Sequence, residues 1–315
     1  MSHDSTYKKS HTCKVASIGA WGSYFPDTAA LADMLNAPIC SSDEQLKEKT
    51  LDEKLTEENP AGKYSAGPKP EAIPANERRR APLIVRLAVE ASWQATQKVG
   101  ISPQDLKCVF VSGLGDTSLT DYMCSVLASD MKKLSPTKFH NSVHNAPAGY
   151  WTISTEVMGA ANSVAGFEHS VAVTLMDAII QCNYEKAPIL IAFYDAPVAE
   201  PFKALLKNEH AFAAAIVIYP EDSDKEGTRL TMELSSVQQD AFQESASQES
   251  ASQQNTSINW PVLATNNSYL QDIYTNNPAG KVLCLLERLL SPAMLSSPFT
   301  LPVSDGVSIR FTCSQ

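Results

Sequence analysis

The chain has 315 residues, room for one large domain or two ordinary ones, and 43% of them are hydrophobic, which supplies a sizeable core and argues against global disorder. Its 25 Lys and Arg against 35 Asp and Glu leave a net charge of −10, the wrong sign for a nucleic-acid or anionic-membrane binder. Seven cysteines spread from Cys13 to Cys313 without a CxxC pair argue against a disulfide framework or a structural zinc site, and the polar start MSHDSTYKKSHTCK lacks the apolar core of a signal peptide, so a reducing cytoplasm is the expected location.

In chain order, VASIGAW (15–21) reads as a buried strand that ends at Gly22. Asp27 is placed to cap a short helix through Leu35, because its carboxylate can accept the orphan amides of the first turn. Residues 41–80 change character: a charge-dense half followed by a half rich in Pro, Gly and Ala reads as an exposed helix and an irregular crossing loop, a solvated insertion. From Ala81 to Val99 apolar residues recur at three- and four-residue steps (Leu83, Leu87, Ala91, Ala95), the mark of a buried helix, with Pro82 in its first turn. KCVFVSGLGD (107–116) is a strand running into a turn, followed by a helix over about Ser118–Ser129. After an irregular stretch, TKFHNSVHN, a helix is expected around Ala146–Val157 and a short strand at SVAG (163–166). A helix over Glu168–Asn183 carries an apolar seam of Val171, Leu175, Ile179 and Cys182. APILIAFYD (187–195) and AFAAAIVIYP (211–220) are strands whose continuous apolar runs fit a sheet covered on both faces, and they are too short to span a bilayer. This alternation of strands and helices predicts an α/β fold. Beyond residue 220 a strand at RLTMELS (229–235), an amphipathic helix at KVLCLLERLL (281–290) and a terminal strand at VSIRFTC (307–313) are expected. They are separated by the doubled, polar QESASQESAS (243–252), a flexible segment.

Chemistry-bearing motifs are sparse. No cysteine has a sequence context that lowers a thiol pKa, and Cys108 and Cys182 fall on apolar faces as small buried hydrophobes. There is no G-x-S-x-G elbow and no GxxxxGK[ST] loop, and GLGD (113–116) lacks the remaining glycine of a dinucleotide fingerprint, so no cofactor is expected. His140 and His144 stand four apart, a metal spacing only on a helix. The sequence HNAPAG points instead to a loop or helix start and a hydrogen-bonded structural pair, with no metal.

The run LSPTKFHNSVHNAPAGYWTISTEVMGAANSVAGFEHSVAVTLMDAI (134–179), with VASIGAWG, RRRAPLIVRLAVEA and VFVSGLGD before it, resembles the N-terminal half of a β-ketoacyl synthase of the thiolase-like fold. The resemblance covers about residues 13–220. It is similar above all to the short ketoacyl-synthase-like N-terminal proteins, which include chain-length-factor partners in aryl-polyene-type gene clusters. It implies a ketoacyl-synthase-like domain over 13–235 with the charged insertion at 41–80, a low-complexity flexible segment at 236–280 and a helix-and-strand extension at 281–315. The second half of a complete thiolase-like protein is then vestigial, and its removal should leave an apolar face for a partner to cover.

In the family the nucleophilic cysteine sits at a strand-to-helix turn, where the helix N-terminus favours the thiolate. Counted from Gly159 forward or from Ala178 back, that position holds Glu168, which cannot carry an acyl thioester. The family's two histidines come from its second half, and this chain has no histidine after His210. The resemblance therefore implies a subunit without the condensing triad, paired as a heterodimer with an active β-ketoacyl synthase. Phe139, His140, Asn141, His144, Asn145, Phe167, Glu168 and His169 are its acyl-pocket or dimer-seam candidates. Arg78, Arg79 and Arg80 are candidates for contact with an acidic acyl carrier protein, or else form a solvated basic turn. Glu168 is also readable as a helix cap. The alternative is a diverged carrier-dependent decarboxylase or hydrolase that uses Glu168.

Overall fold

The computed structural model describes residues 10–37, 67–236, 260–304 and 306–315. The charged half of the expected insertion, Cys40 and the doubled QESAS sequence lie outside the described residues. Within them the strands are β1 (Ser10–Gly22), β2 (Lys107–Val111), β3 (Ala161–Val164), β4 (Ile189–Asp195), β5 (Phe212–Pro220), β6 (Thr228–Ser236), β7 (Phe299–Ser304) and β8 (Val307–Ser314). The helices are α1 (Thr28–Leu35), α2 (Ala75–Arg78), α3 (Leu83–Val99), α4 (Thr117–Ala128), α5 (Pro136–His140), α6 (Ala146–Thr155), α7 (Ser170–Glu185), α8 (Ser268–Asn276) and α9 (Leu283–Leu290). No helix among these residues is long and apolar enough to cross a membrane.

The strands join in one sheet in the order β3-β2-β4-β5-β1-β6-β8-β7, with β3, β2 and β4 parallel and every other neighbouring pair antiparallel. β4 and β5 are buried along their whole length, as their unbroken apolar sequences require, because helices cover both faces. On one face α3 and α6 pack through Leu87, Ala88, Ala95 and Trp151. α3 lies so close to β1 that a Cβ on Gly19 would stand 2.0 Å from the Ala91 carbonyl oxygen, so only glycine fits there. On the other face α7 presents Val171, Leu175, Ile179 and Cys182, all fully buried. Each aliphatic side chain buried this way contributes about 1.5–3 kcal/mol. The Asp27 carboxylate caps α1 as expected, accepting the Ala30 amide at 2.9 Å.

β1 is the hinge of the architecture. Its residues 10–15 pair with β6 and its residues 13–22 with β5, and the register shifts between Val15 and Ser17. One extra residue bends a strand and reverses which side chains face which layer. Cys13 and Val15 point toward α7 before the shift, and Ile18 and Ala20 do so after it, while Ser17 turns to donate to the Ala95 carbonyl on α3. The sheet thereby curls around α7, which touches β1, β2, β4, β5 and, from the far side, β7. The layers run α3/α6, first sheet leaf, α7/α9, second leaf.

The second leaf corrects two expectations. Its inner face (Leu230, Met232, Phe299, Leu301, Ile309, Phe311, Cys313) closes the core, and its outer face carries Arg229, Thr231, Glu233, Thr300, Arg310 and Thr312. The uncovered apolar face expected from a missing second half is therefore not found there: alternation along β8 and most of β6 and β7 makes the outer side polar. The segment read as flexible over 236–280 is packed from Trp260 onward. Asn267 caps α8, whose Tyr269, Leu270, Ile273 and Tyr274 form a buried stripe. Residues 281–315 are likewise part of this core. α9 is not amphipathic in place, since Leu283 to Arg288 are all buried. Its two charges lie against each other, Arg288 Nη1 3.5 Å from Glu287 Oε2, and are braced by the backbone: Glu287 Oε1 accepts the Ala264 and Thr265 amides, and Arg288 donates to the Cys284 and Ser297 carbonyls.

Candidate functional site

The parallel strands β3, β2 and β4 end on one side of the first leaf, the edge at which open α/β sheets present their loops to ligands. β2 runs into the turn Ser112–Gly113–Leu114, and β4 ends in Tyr194–Asp195. The Asp195 carboxylate, fully buried, accepts the Ser112 hydroxyl (2.6 Å) and the amides of Leu114 (3.0 Å), Gly113 (3.2 Å) and Ala279 (3.1 Å). Burial pushes its pKa up to about 6, against the pull of those four donors. This one side chain ties the β2 turn to the 3-10 segment Pro278–Val282 that leads into α9. The approach is close enough that a Cβ on Gly113 would meet that of Pro278 at 2.4 Å.

β3 leads through Ala165 and Gly166 into a 3-10 turn, Phe167–His169, and then into α7. Phe167 has φ +48°, a left-handed backbone that is strained for a bulky residue and marks a turn held by its surroundings. The cap expected of Glu168 is not made: neither the 3-10 turn nor α7 has a side-chain cap, and the Ser170 hydroxyl braces the turn by accepting the Gly166 amide and donating to the Phe167 carbonyl. Glu168 is near enough to the buried Lys281 for its charge to be felt there. Burial lowers the pKa of that ammonium and Glu168 raises it. Lys281 donates to the Tyr274 and Thr275 carbonyls at the C-terminus of α8 and lies over the Trp260 ring, on which His169 also stacks. His169 is further tied by Nδ1 to the Pro302 carbonyl oxygen at 3.1 Å, so it packs against β7.

The remaining candidates separate into two groups. The stretch read as irregular contains the short helix α5. His140 and Asn145 line a surface cleft of about 440 Å³ together with Arg80, Glu77, Tyr150 and Ile153. Asn141 and His144 line a smaller cavity of about 130 Å³ behind it, and Val143 and Ala146 form the wall between. His144 Nε2 contacts the Val164 carbonyl at 3.1 Å. Arg78 is turned inward onto the Pro70 carbonyl, leaving Arg79 and Arg80 exposed. Phe139 is exposed, as are Val143, Ile153 (77%), Met158 (94%) and Phe167. These side chains stand on the elements before and after β3, an edge strand that pairs only with β2 among the described residues. Sequence reasoning passed over Tyr194, Asp195, Trp260 and Lys281. Their signal was a polar pair closing an otherwise apolar strand and a lone cation opening an apolar helix.

A model of the β-ketoacyl synthase N-terminal domain family matches residues 53–276 of this chain. Among solved structures, it resembles a chain of a ketosynthase in complex with its chain length factor from Xenorhabdus doucetiae, at 15% identity and a TM-score of 0.61, covering 96% of this chain and 99% of that one. It also resembles a chain of the ishigamide ketosynthase/chain length factor, at 12% identity and a TM-score of 0.58, with the same coverage. A β-ketoacyl synthase from Burkholderia phymatum matches at 13% identity and a TM-score of 0.52, over 72% of this chain and 64% of that one. At these identities the likeness is one of fold, and it places the chain in the thiolase-like class. No curated protein matches the sequence.

Proposed function

The chain belongs to the β-ketoacyl synthase N-terminal domain family, and from that premise we propose that it is a non-catalytic, chain-length-factor-like subunit that pairs as a heterodimer with an active β-ketoacyl synthase in the cytoplasm. The observation that carries this reading is Glu168, in the strained turn between β3 and α7, at the position to which counting along the resemblance assigns the family's nucleophilic cysteine, in a chain without a histidine after His210. A carboxylate there can be neither acylated to a stable thioester nor backed by the two histidines that decarboxylation needs.

Two further features support pairing. The outer edge of β3, unpaired among the described residues, and the exposed Met158, Ile153, Val143 and Phe139 near it offer apolar side chains for a partner to cover. The matched chains in the two ketosynthase–chain-length-factor structures are also covered end to end. The cleft of Arg80, His140 and Asn145 opens on this side and would shape the acyl pocket at the seam. Arg79 and Arg80 offer a local basic patch to an acidic carrier protein. The biosynthetic class proposed is fatty-acid or polyketide-type, of the aryl polyene kind.

Co-expression with a candidate synthase tests this. A one-to-one complex on size exclusion is expected, together with product formation only in the complex and altered product length for Glu168→Ala. Malonyl-carrier turnover by the isolated chain would overturn the reading in favour of a diverged enzyme.

A further inference from the structure

The small cavity at the carboxyl ends of β2 and β4 is lined by a ring of polar groups, and nearly all of them are already engaged. The Ser112 hydroxyl donates to Asp195 and accepts the Gly115 amide. Asp116 accepts the Leu119 amide, the Thr120 hydroxyl donates to the Asp116 carbonyl, Ser142 donates to the Phe139 carbonyl, and His144 meets the Val164 carbonyl. Two atoms stand apart. Tyr194 Oη and Asn141 Oδ1 belong to side chains 0% and 4% exposed, both line the cavity, and neither has a hydrogen-bond partner among the described residues. The rest of the wall is apolar, from Ile84, Leu114, Ala146 and Pro147.

We propose that this cavity is a binding site for a small neutral ligand carrying a hydroxyl group, held between Tyr194 and Asn141. A hydroxyl is the group that answers both atoms at once: its oxygen accepts from the tyrosine O–H while its hydrogen is donated to the amide oxygen. A polar atom left unpaired in a buried site is costly, which favours a polar occupant over a plain hydrocarbon. An anion is disfavoured as well, because the Asp116 carboxylate lines the cavity and the buried Asp195 lies next to Tyr194. Among the described residues no group of three or more His, Cys, Asp or Glu side chains is gathered that could hold a metal cation. Burial followed by Asp195 holds the tyrosine phenol well above its usual range, so it remains a donor throughout the working pH range. The volume of about 130 Å³ is close to that of an engineered cavity of about 150 Å³ that takes benzene in another protein, so a single small ring or a short branched chain fits. The site shares its wall with the larger cleft, which supplies an approach from the surface.

Phenol and toluene differ at this site only in presenting a hydroxyl or a methyl, and both are measured against the isolated full chain by calorimetry or ligand-observed NMR. Phenol is expected to bind saturably and roughly tenfold more tightly than toluene, the value of about one buried hydrogen bond. Tyr194→Phe, which keeps the ring and removes an orphan hydroxyl, should bring phenol down to the affinity of toluene and leave toluene unchanged. Asn141→Ala should weaken phenol independently. Equal affinities for the two probes, phenol binding indifferent to Tyr194→Phe, or no saturable binding of either, meaning a cavity that holds water only, would each overturn the proposal. None of these outcomes touches the pairing with a synthase, which is measured separately.

Discussion

Asp195 concentrates more of the site's architecture in one side chain than any motif in the sequence suggested. Both its oxygens are occupied by donors, three of them backbone amides from two segments far apart in the chain. Asp195→Asn places an amide N–H against two of those donors and should cost roughly 2–4 kcal/mol, read from chemical denaturation at pH 7. The pH dependence has a definite sign. The folded-state pKa of about 6 stands above the ordinary 3.8, so the folded chain binds the proton more tightly than the unfolded one. The contribution of this group is full below about pH 3.8 and is lost as the pH rises through about 6. The stability difference between the wild type and Asp195→Asn should therefore shrink as the pH rises across that window. A difference that grows instead would refute the assignment. Neither Asp195 nor Lys281 stood out in the sequence, because a charged residue at the end of an apolar run reads as a surface terminus until the segments that bury it are placed.

At the level of elements, local rules carried far. The Asp27 cap, the α7 seam and the both-face burial of β4 and β5 follow from residue spacing, because each depends only on neighbours within a few positions. The contact between β1 and α3 is different: glycine at position 19 is required by a helix more than seventy residues later. Gly19→Ala should drive the new methyl into the Ala91 carbonyl and lower stability by about 3 kcal/mol, measured as a fall in the denaturation midpoint with an unchanged slope. The same limit explains α8. Its stripe of Tyr269, Leu270, Ile273 and Tyr274 has helical spacing, but it follows a polar, repetitive segment, and the core it completes belongs to α7 and α9.

For the whole molecule, the two ends of the sheet have opposite characters. The second leaf turns a polar face outward, whereas the β3 edge is ringed by exposed apolar side chains. If that edge is the partner surface, Met158→Asp should weaken the complex with a synthase by tenfold or more while leaving the thermal midpoint of the isolated chain unchanged, since a side chain 94% exposed supports no core of its own. An equally stable complex would place the interface elsewhere. Much of this molecule was determined by its sequence: an α/β chain, the order of its described elements to residue 220, and the family resemblance carried by residues 134–179. These are properties of local spacing and residue chemistry. Tertiary structure alone decided the rest, including the curl of the sheet at the β1 bulge, the polar outer leaf, the burial of Lys281 and the orphan pair Tyr194 and Asn141. The reason is that each of them joins residues distant in sequence, and burial, which gives such groups their energetic weight, exists only once the layers have closed.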